Sequence, residues 1–265
     1  MYTNYYPSSQ LFHGSVPKAM GTRLDALLFG DDADRLESLW QSLVAEVRRL
    51  ERMMNRFATD SDLYAVNRDG VIYPVGMKDE LWDALMDCRR YNSLTEGRFD
   101  AALGRWQQVE FDTKAKTVFL RSDAMLDLGG YAKGYALKRV GELLKQHSID
   151  RALVNFGDSS VLALGTHPHG DCWSVGIDNP YDHRRVGEIR LRDTAMSVSG
   201  NMPSHTAHIV RPSTGEMVDE QRMAVVVAAD AVDAEALTTA LMVDAAEPES
   251  WLRNFAIDEY RIYNC

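Results

Sequence analysis

Cysteine is scarce in this chain, and what there is does not pair. Its 265 residues hold three, Cys88, Cys172 and Cys265, an odd number with no CxxC spacing. That argues against a disulfide framework and suits a reducing compartment. Long apolar runs are missing too: no segment approaches the ~20 residues of a membrane span. The opening stretch, MYTNYYPSSQLFHGSV, has neither a basic start nor an apolar run, so it does not read as a signal peptide. The expectation is a cytoplasmic protein. Blocks of Lys or Arg are absent and the formal charge is −10, which argues against a nucleic-acid binder. An anionic ligand would need local positive charge, from a lysine, an arginine, a helix end or a metal. No internal repeat or low-complexity segment is visible.

What is present suffices for a sizeable core. Hydrophobic residues make up 45% of the chain, and its length fits one large domain or two intimate lobes. Residues 1–17 are aromatic and polar without periodicity and read as an arm or a disordered segment; the domain proper is expected over 18–265. Leu24, Ala26 and Leu28 alternate as in a strand. Residues 32–54 form the clearest helix, with Leu36, Leu39, Trp40, Leu43, Val47, Leu50 and Met54 in one stripe and Asp31 or Asp32 as its cap. Residues 79–93 read as a second helix. Arg151–Phe156, Val161–Leu164, Trp173–Ile177, Val186–Leu191 and Met223–Ala229 read as strands, a helix follows from about Asp233, and Ile257–Tyr263 is a last strand.

The chain is organised around Leu126-Asp127-Leu128-Gly129-Gly130-Tyr131-Ala132-Lys133-Gly134-Tyr135-Ala136-Leu137, which reads as a strand end, a glycine turn and a helix start. A helix N-terminus after such a turn presents unpaired N–H groups that suit a phosphate. Lys133 stands in the first turn, a poor place for a cation on dipole grounds, which a bound anion would explain. A tight turn with a solvated lysine reads equally well. Further on, Glu235 and Thr239 are four apart and project from one helix face, where a carboxylate and a hydroxyl can share a hard cation. The alternative is a helix-face Glu with a threonine bonding its own backbone. His167-Pro168-His169 and His205-x-x-His208 have no partner cluster that spells zinc.

The glycine stretch resembles the D-L-G-G-x-A-K-G-Y-A signature of the ApbE family, the FAD:protein FMN transferases. Other matches follow in order over roughly residues 18–245: Met20-Gly21-Thr22; Asn55 to Leu63, where Asn55 replaces a serine and Asp62 a glutamate; Gly97-Arg98-Phe99-Asp100; Ala152 to Asp158, where Asp158 replaces a glycine; Ser197 to Gly200; His208 to Gly215, where Arg211 replaces an aspartate; and Glu235-Ala236-Leu237-Thr238-Thr239, where Glu235 replaces an aspartate. The stretch from Trp106 to Asp127 is shorter than relatives usually have.

The resemblance implies an α+β, T-fold-related unit of two lobes, with mixed or antiparallel sheets and packed helices. It implies Mg²⁺-dependent transfer of FMN from FAD to a threonine or serine hydroxyl of a partner flavoprotein, releasing AMP. By the same resemblance, Gly130, Glu235 and Thr239 bind the metal. Met20, Phe57, Arg98, Phe99, Asp100, Asp127, Lys133 and Ile209 hold FAD. His208 and Lys133 are the catalytic candidates, His208 for proton transfer. Water in place of the hydroxyl would make a hydrolase giving FMN and AMP, and loss of chemistry would leave a flavin-binding module.

Overall fold

The computed structural model describes residues 1–201 and 209–265. In chain order the elements are β1 (Tyr2–Tyr6), β2 (Leu11–Ala19), β3 (Thr22–Phe29), α1 (Ala33–Met54), α2 (Asp62–Asp69), β4 (Val75–Gly76), α3 (Asp79–Leu94), β5 (Val109–Asp112), β6 (Thr117–Leu120) and α4 (Ala132–Gln146). There follow β7 (Ala152–Phe156), β8 (Ser160–Leu164), β9 (Trp173–Asp178), β10 (Arg185–Leu191), β11 (Thr194–Gly200), β12 (Arg222–Ala228), α5 (Ala231–Val243), α6 (Glu249–Leu252) and β13 (Ile257–Asn264). Eight strands form one sheet in the order β1-β2-β3-β7-β8-β11-β12-β13, with every neighbouring pair antiparallel. A three-stranded sheet β4-β6-β5 and the hairpin β9–β10 complete it. The α+β class with antiparallel sheets and packed helices is as the sequence implies.

The main sheet is covered on both sides. Helices α1, α4 and α5 lie on one face over the larger core, which includes Trp40, Leu50, Leu137, Val226 and Leu237. On the other, the β9–β10 hairpin encloses a smaller core with Val161, Trp173, Ile189, Met196 and Val225. This double cover explains why β8 is buried at every position and why Met223–Ala228 reads as a continuous apolar run. Helix α5 is apolar nearly all round because it is sunk between the sheet and α4.

Helix α1 begins where Asp32 accepts the Arg35 amide at 2.9 Å, and its predicted stripe is buried throughout. Residues 1–17 are not an arm. They form β1 and most of β2, and the boundary expected at residue 18 falls inside β2. The alternation Phe12, Gly14, Val16 is masked because its middle member is a glycine. A Cβ on Gly14 would stand 2.5 Å from the Trp40 ring, so the indole takes the space a side chain would fill. The short segment before Asp127 contains β5 and β6.

Candidate active site

Two hairpin or helix-entry turns and one buried helix build the site. Met20 and Gly21 form the two-residue turn between β2 and β3, both with positive φ (46° and 80°). Glycine adopts that conformation freely, whereas a methionine held there is a local strain. The second turn precedes α4. Asp127 Oδ1 accepts the Gly129 amide at 2.7 Å, and the amides of Tyr131 and Ala132 bond the Leu128 carbonyl. Behind it, α4 and α5 meet closely: a Cβ on Gly134 would be 2.6 Å from the Ala231 carbonyl oxygen, and one on Gly130 would be 2.8 Å from Thr239 Oγ1.

These elements frame a cleft with two compartments. The larger, about 390 Å³, is lined among others by Arg98, Phe99, Asp100, Gly130, Ile209, Glu235 and Thr239. The smaller, about 250 Å³, has Met20 in its wall. Arg56, Phe57, Asp127, Gly129 and Lys133 line both. Gly130, Glu235 and Thr239, from segments about a hundred residues apart in sequence, thus converge on one wall.

Glu235 is neither solvated nor free. Among the described residues it is the only charged side chain that is buried. Its Oε2 accepts from Ser160 Oγ at 2.6 Å and from Ser197 Oγ at 2.8 Å, and its Oε1 holds the Lys133 ammonium. Lys133 is therefore not the solvated lysine of the alternative reading: in the first turn of α4 its anion is a carboxylate of the neighbouring helix. Among the described residues Thr239 Oγ1 makes only a long 3.4 Å bond, to the Glu235 carbonyl on its own helix. A carboxylate oxygen, a hydroxyl and a backbone segment at this wall are donors of the kind a hard divalent cation takes. Glu235 is the one carboxylate among Gly130, Glu235 and Thr239, so such a cation would draw its other ligands from water and a substrate's oxygens.

Several predicted residues also have structural partners of their own. Asp100 accepts the amides of Ala102 at 2.6 Å and Gly104 at 2.9 Å, ordering the turn in which Leu103 and Gly104 both have positive φ. Burial raises its carboxyl above the ordinary range, opposed by those amide bonds. Phe99 is core, 2% exposed and edge-on to Tyr91. Phe57 is the reverse: 75% exposed, with the Arg56 guanidinium 4.2 Å above its ring. Arg98 reaches Asp244 at 3.1 Å and Glu96 at 3.0 Å. Arg211, where an aspartate is usual, donates to the Val243 carbonyl at 2.6 Å and to Glu220 at 2.7 Å, so it caps the end of α5. Asp158 takes positive φ in the β7–β8 turn and accepts from Asn155 Nδ2 at 2.8 Å, so the turn survives loss of the glycine. His208 lies outside the described residues.

Sequence reasoning missed Arg56, Ser160 and Ser197. Arg56 stands inside the Asn55-to-Leu63 match and ion-pairs with Asp127 at 2.7 Å, at the waist between the compartments. Ser160 gave no signal, being the single polar residue of an apolar strand, and Ser197 stood inside the Ser197-to-Gly200 match but was given no role.

The cleft brings Arg56, Arg98 and Lys133 together with hard oxygen donors in a chain of net negative charge. The chain belongs to the ApbE family, whose model matches residues 20–108 and 101–259. The FAD:protein FMN transferase of Escherichia coli K12 is 24% identical over 269 residues, covering 85% of this chain and 76% of that protein. The one from Treponema pallidum is 26% identical over 250 residues, covering 74% and 68%. In fold the chain is similar to the ApbE protein of Thermotoga maritima, with TM-score 0.84 and 21% identity over 96% of this chain and 97% of that one. The flavin transferase ApbE of Vibrio cholerae gives 0.79 and 21% over 95% and 96%.

Proposed function

We propose that the protein transfers FMN from FAD to a threonine or serine hydroxyl of an acceptor flavoprotein, with AMP as leaving group and Mg²⁺ required. The observation that carries the reading is the convergence of Gly130, Glu235 and Thr239 beside Lys133 and Asp127 in a divided cleft. The reaction is a phosphoryl-type displacement: the acceptor oxygen bonds to the flavin-side phosphorus as the diphosphate bridge breaks. Gly130, Glu235 and Thr239 would hold the Mg²⁺, which when bound supplies charge neutralisation at the diphosphate. Arg56, Lys133 and Arg98 bring positive charge to the dinucleotide, whose binding groove runs past Met20, Phe57, Phe99, Asp100, Asp127 and Ile209. His208 is assigned the acceptor's proton. Three free cysteines, and no helix among the described residues long and apolar enough to cross a membrane, support a cytoplasmic site of action.

The test is incubation with FAD and Mg²⁺, with and without a peptide carrying a Thr/Ser flavinylation motif. Flavin covalently on the peptide is the expected result. Free FMN and AMP without peptide would mark a hydrolase, and FAD bound but unchanged would overturn the enzymatic reading.

A further inference from the structure

The setting of Glu235 is more elaborate than holding a cation requires. Ser160 and Ser197 are register partners on β8 and β11, so their side chains leave the sheet on the same face, toward α5. They are 1% and 2% exposed, and both donate to the same oxygen, Oε2. An ionised carboxylate offers about four lone-pair positions, so two are filled on Oε2 and one, by Lys133, on Oε1. The remaining position is on Oε1. A buried carboxylate needs a compensating cation, and Lys133 supplies it. Among the described residues no other side-chain partner favours an ammonium in the first turn of α4, where the helix dipole opposes it.

We propose that Lys133 and a divalent cation are alternative occupants of Glu235 Oε1, with Ser160 and Ser197 as positioning residues that pin the other carboxylate oxygen in the sheet. The inference rests on the cation reading above. It deepens that reading by giving the site a built-in counter-ion for its metal-free state. Once the cation holds Oε1, the Lys133 ammonium is released into a cleft it already lines, where a diphosphate is its next partner. Metal and dinucleotide then strengthen one another's binding, a coupling that is reciprocal.

The experiment uses the full chain without FAD. The Lys133 ammonium is followed by ¹⁵N–¹H NMR during Mg²⁺ titration, and Mn²⁺ binding is measured by electron paramagnetic resonance. The expected result is a saturable shift or loss of the Lys133 resonance as the bond to Glu235 opens. Lys133→Met should bind Mn²⁺ more tightly by on the order of tenfold, since the competitor is gone. Its melting temperature should rise more on adding Mg²⁺ than the wild type's. Ser160→Ala with Ser197→Ala should weaken Mn²⁺ binding while leaving a single cooperative melt. If Glu235→Gln abolishes Mn²⁺ binding but the Lys133 resonance ignores saturating Mg²⁺ in the unmodified protein, shared occupancy is refuted and the cation site stands. If Glu235→Gln binds Mn²⁺ as the wild type does, the cation reading itself is overturned.

Discussion

Gly130 lies so near Thr239 that a methyl group on it would meet the threonine hydroxyl at 2.8 Å and its methyl at 3.2 Å. The absence of a side chain at residue 130 is thus what lets the glycine turn pack this closely against α5. Gly130→Ala should push Thr239 aside with overpacking of about 1–3 kcal/mol. A shift of about 1 Å at a reacting centre can cost about a hundredfold in rate. Flavin transfer should fall accordingly while circular dichroism stays that of the wild type. Unchanged turnover would show that the two residues do not act together.

Arg56 tests the waist of the cleft. Its guanidinium ion-pairs with Asp127 and lies over Phe57, and all three line both compartments. Arg56→Met removes a charge-assisted partner, worth about 1.5–3 kcal/mol, from any phosphate seated there. FAD affinity, read by flavin fluorescence without metal, should drop by at least about tenfold. Mn²⁺ binding should not change, because Arg56 makes no contact with Glu235. Equal FAD affinity would mean that Arg56 serves only Asp127.

The sequence made some of this legible for physical reasons. Helix α1 shows because seven apolar residues repeat at helical spacing on one face, and β12 shows because both its faces are buried. The turn at Gly129-Gly130 and the pair Glu235, Thr239 show because their chemistry is local. The register of β8 against β11, which makes Ser160 and Ser197 neighbours, is a long-range property that neither strand carries alone. Strands β4 to β6 span only two to four residues each, too few for a period to appear. Asp100 was legible as a polar group beside the cleft, but its bonds to the amides of Ala102 and Gly104 were not. Whether a carboxylate faces a ligand or its own loop depends on where the following amides turn.

Gly134 makes a stability prediction separate from chemistry. A Cβ there meets the Ala231 carbonyl at 2.6 Å, Glu235 Cβ at 2.7 Å and Val232 Cα at 3.0 Å, and two of these three are backbone. Backbone cannot rotate away, so α4 must lift from α5. Gly134→Ala gains helix propensity worth about 1 kcal/mol at most, but overpacking of about 1–3 kcal/mol opposes it. Urea unfolding should show a net loss, and Mg²⁺-dependent activity should fall with it because Glu235 and Thr239 on α5 shift away from the Gly130 turn. A stabilised variant would mean that the helices have room the structure does not show.

The acid limb of stability should trace partly to Arg49, which ties α1 to α3. Its guanidinium bonds Glu46 at 2.8 Å on its own helix and Glu80 Oε1 at 2.8 Å on α3. Those bonds hold both carboxyls below their ordinary value of 4.5, against the opposing effect of burial. Groups with lowered folded pKa values bind protons less readily folded than unfolded. The stability they give is therefore present above pH 4.5 and is lost as pH falls through their folded values. The groups are partly exposed, so the arginine's contribution is about 1 kcal/mol or less. Arg49→Met should be less stable than the wild type at about pH 7, and the gap should be narrower at about pH 3, below the ordinary value of both carboxyls. Urea unfolding at the two pH values measures it, and a gap undiminished in acid would assign the loss to the arginine's packing rather than to its charge.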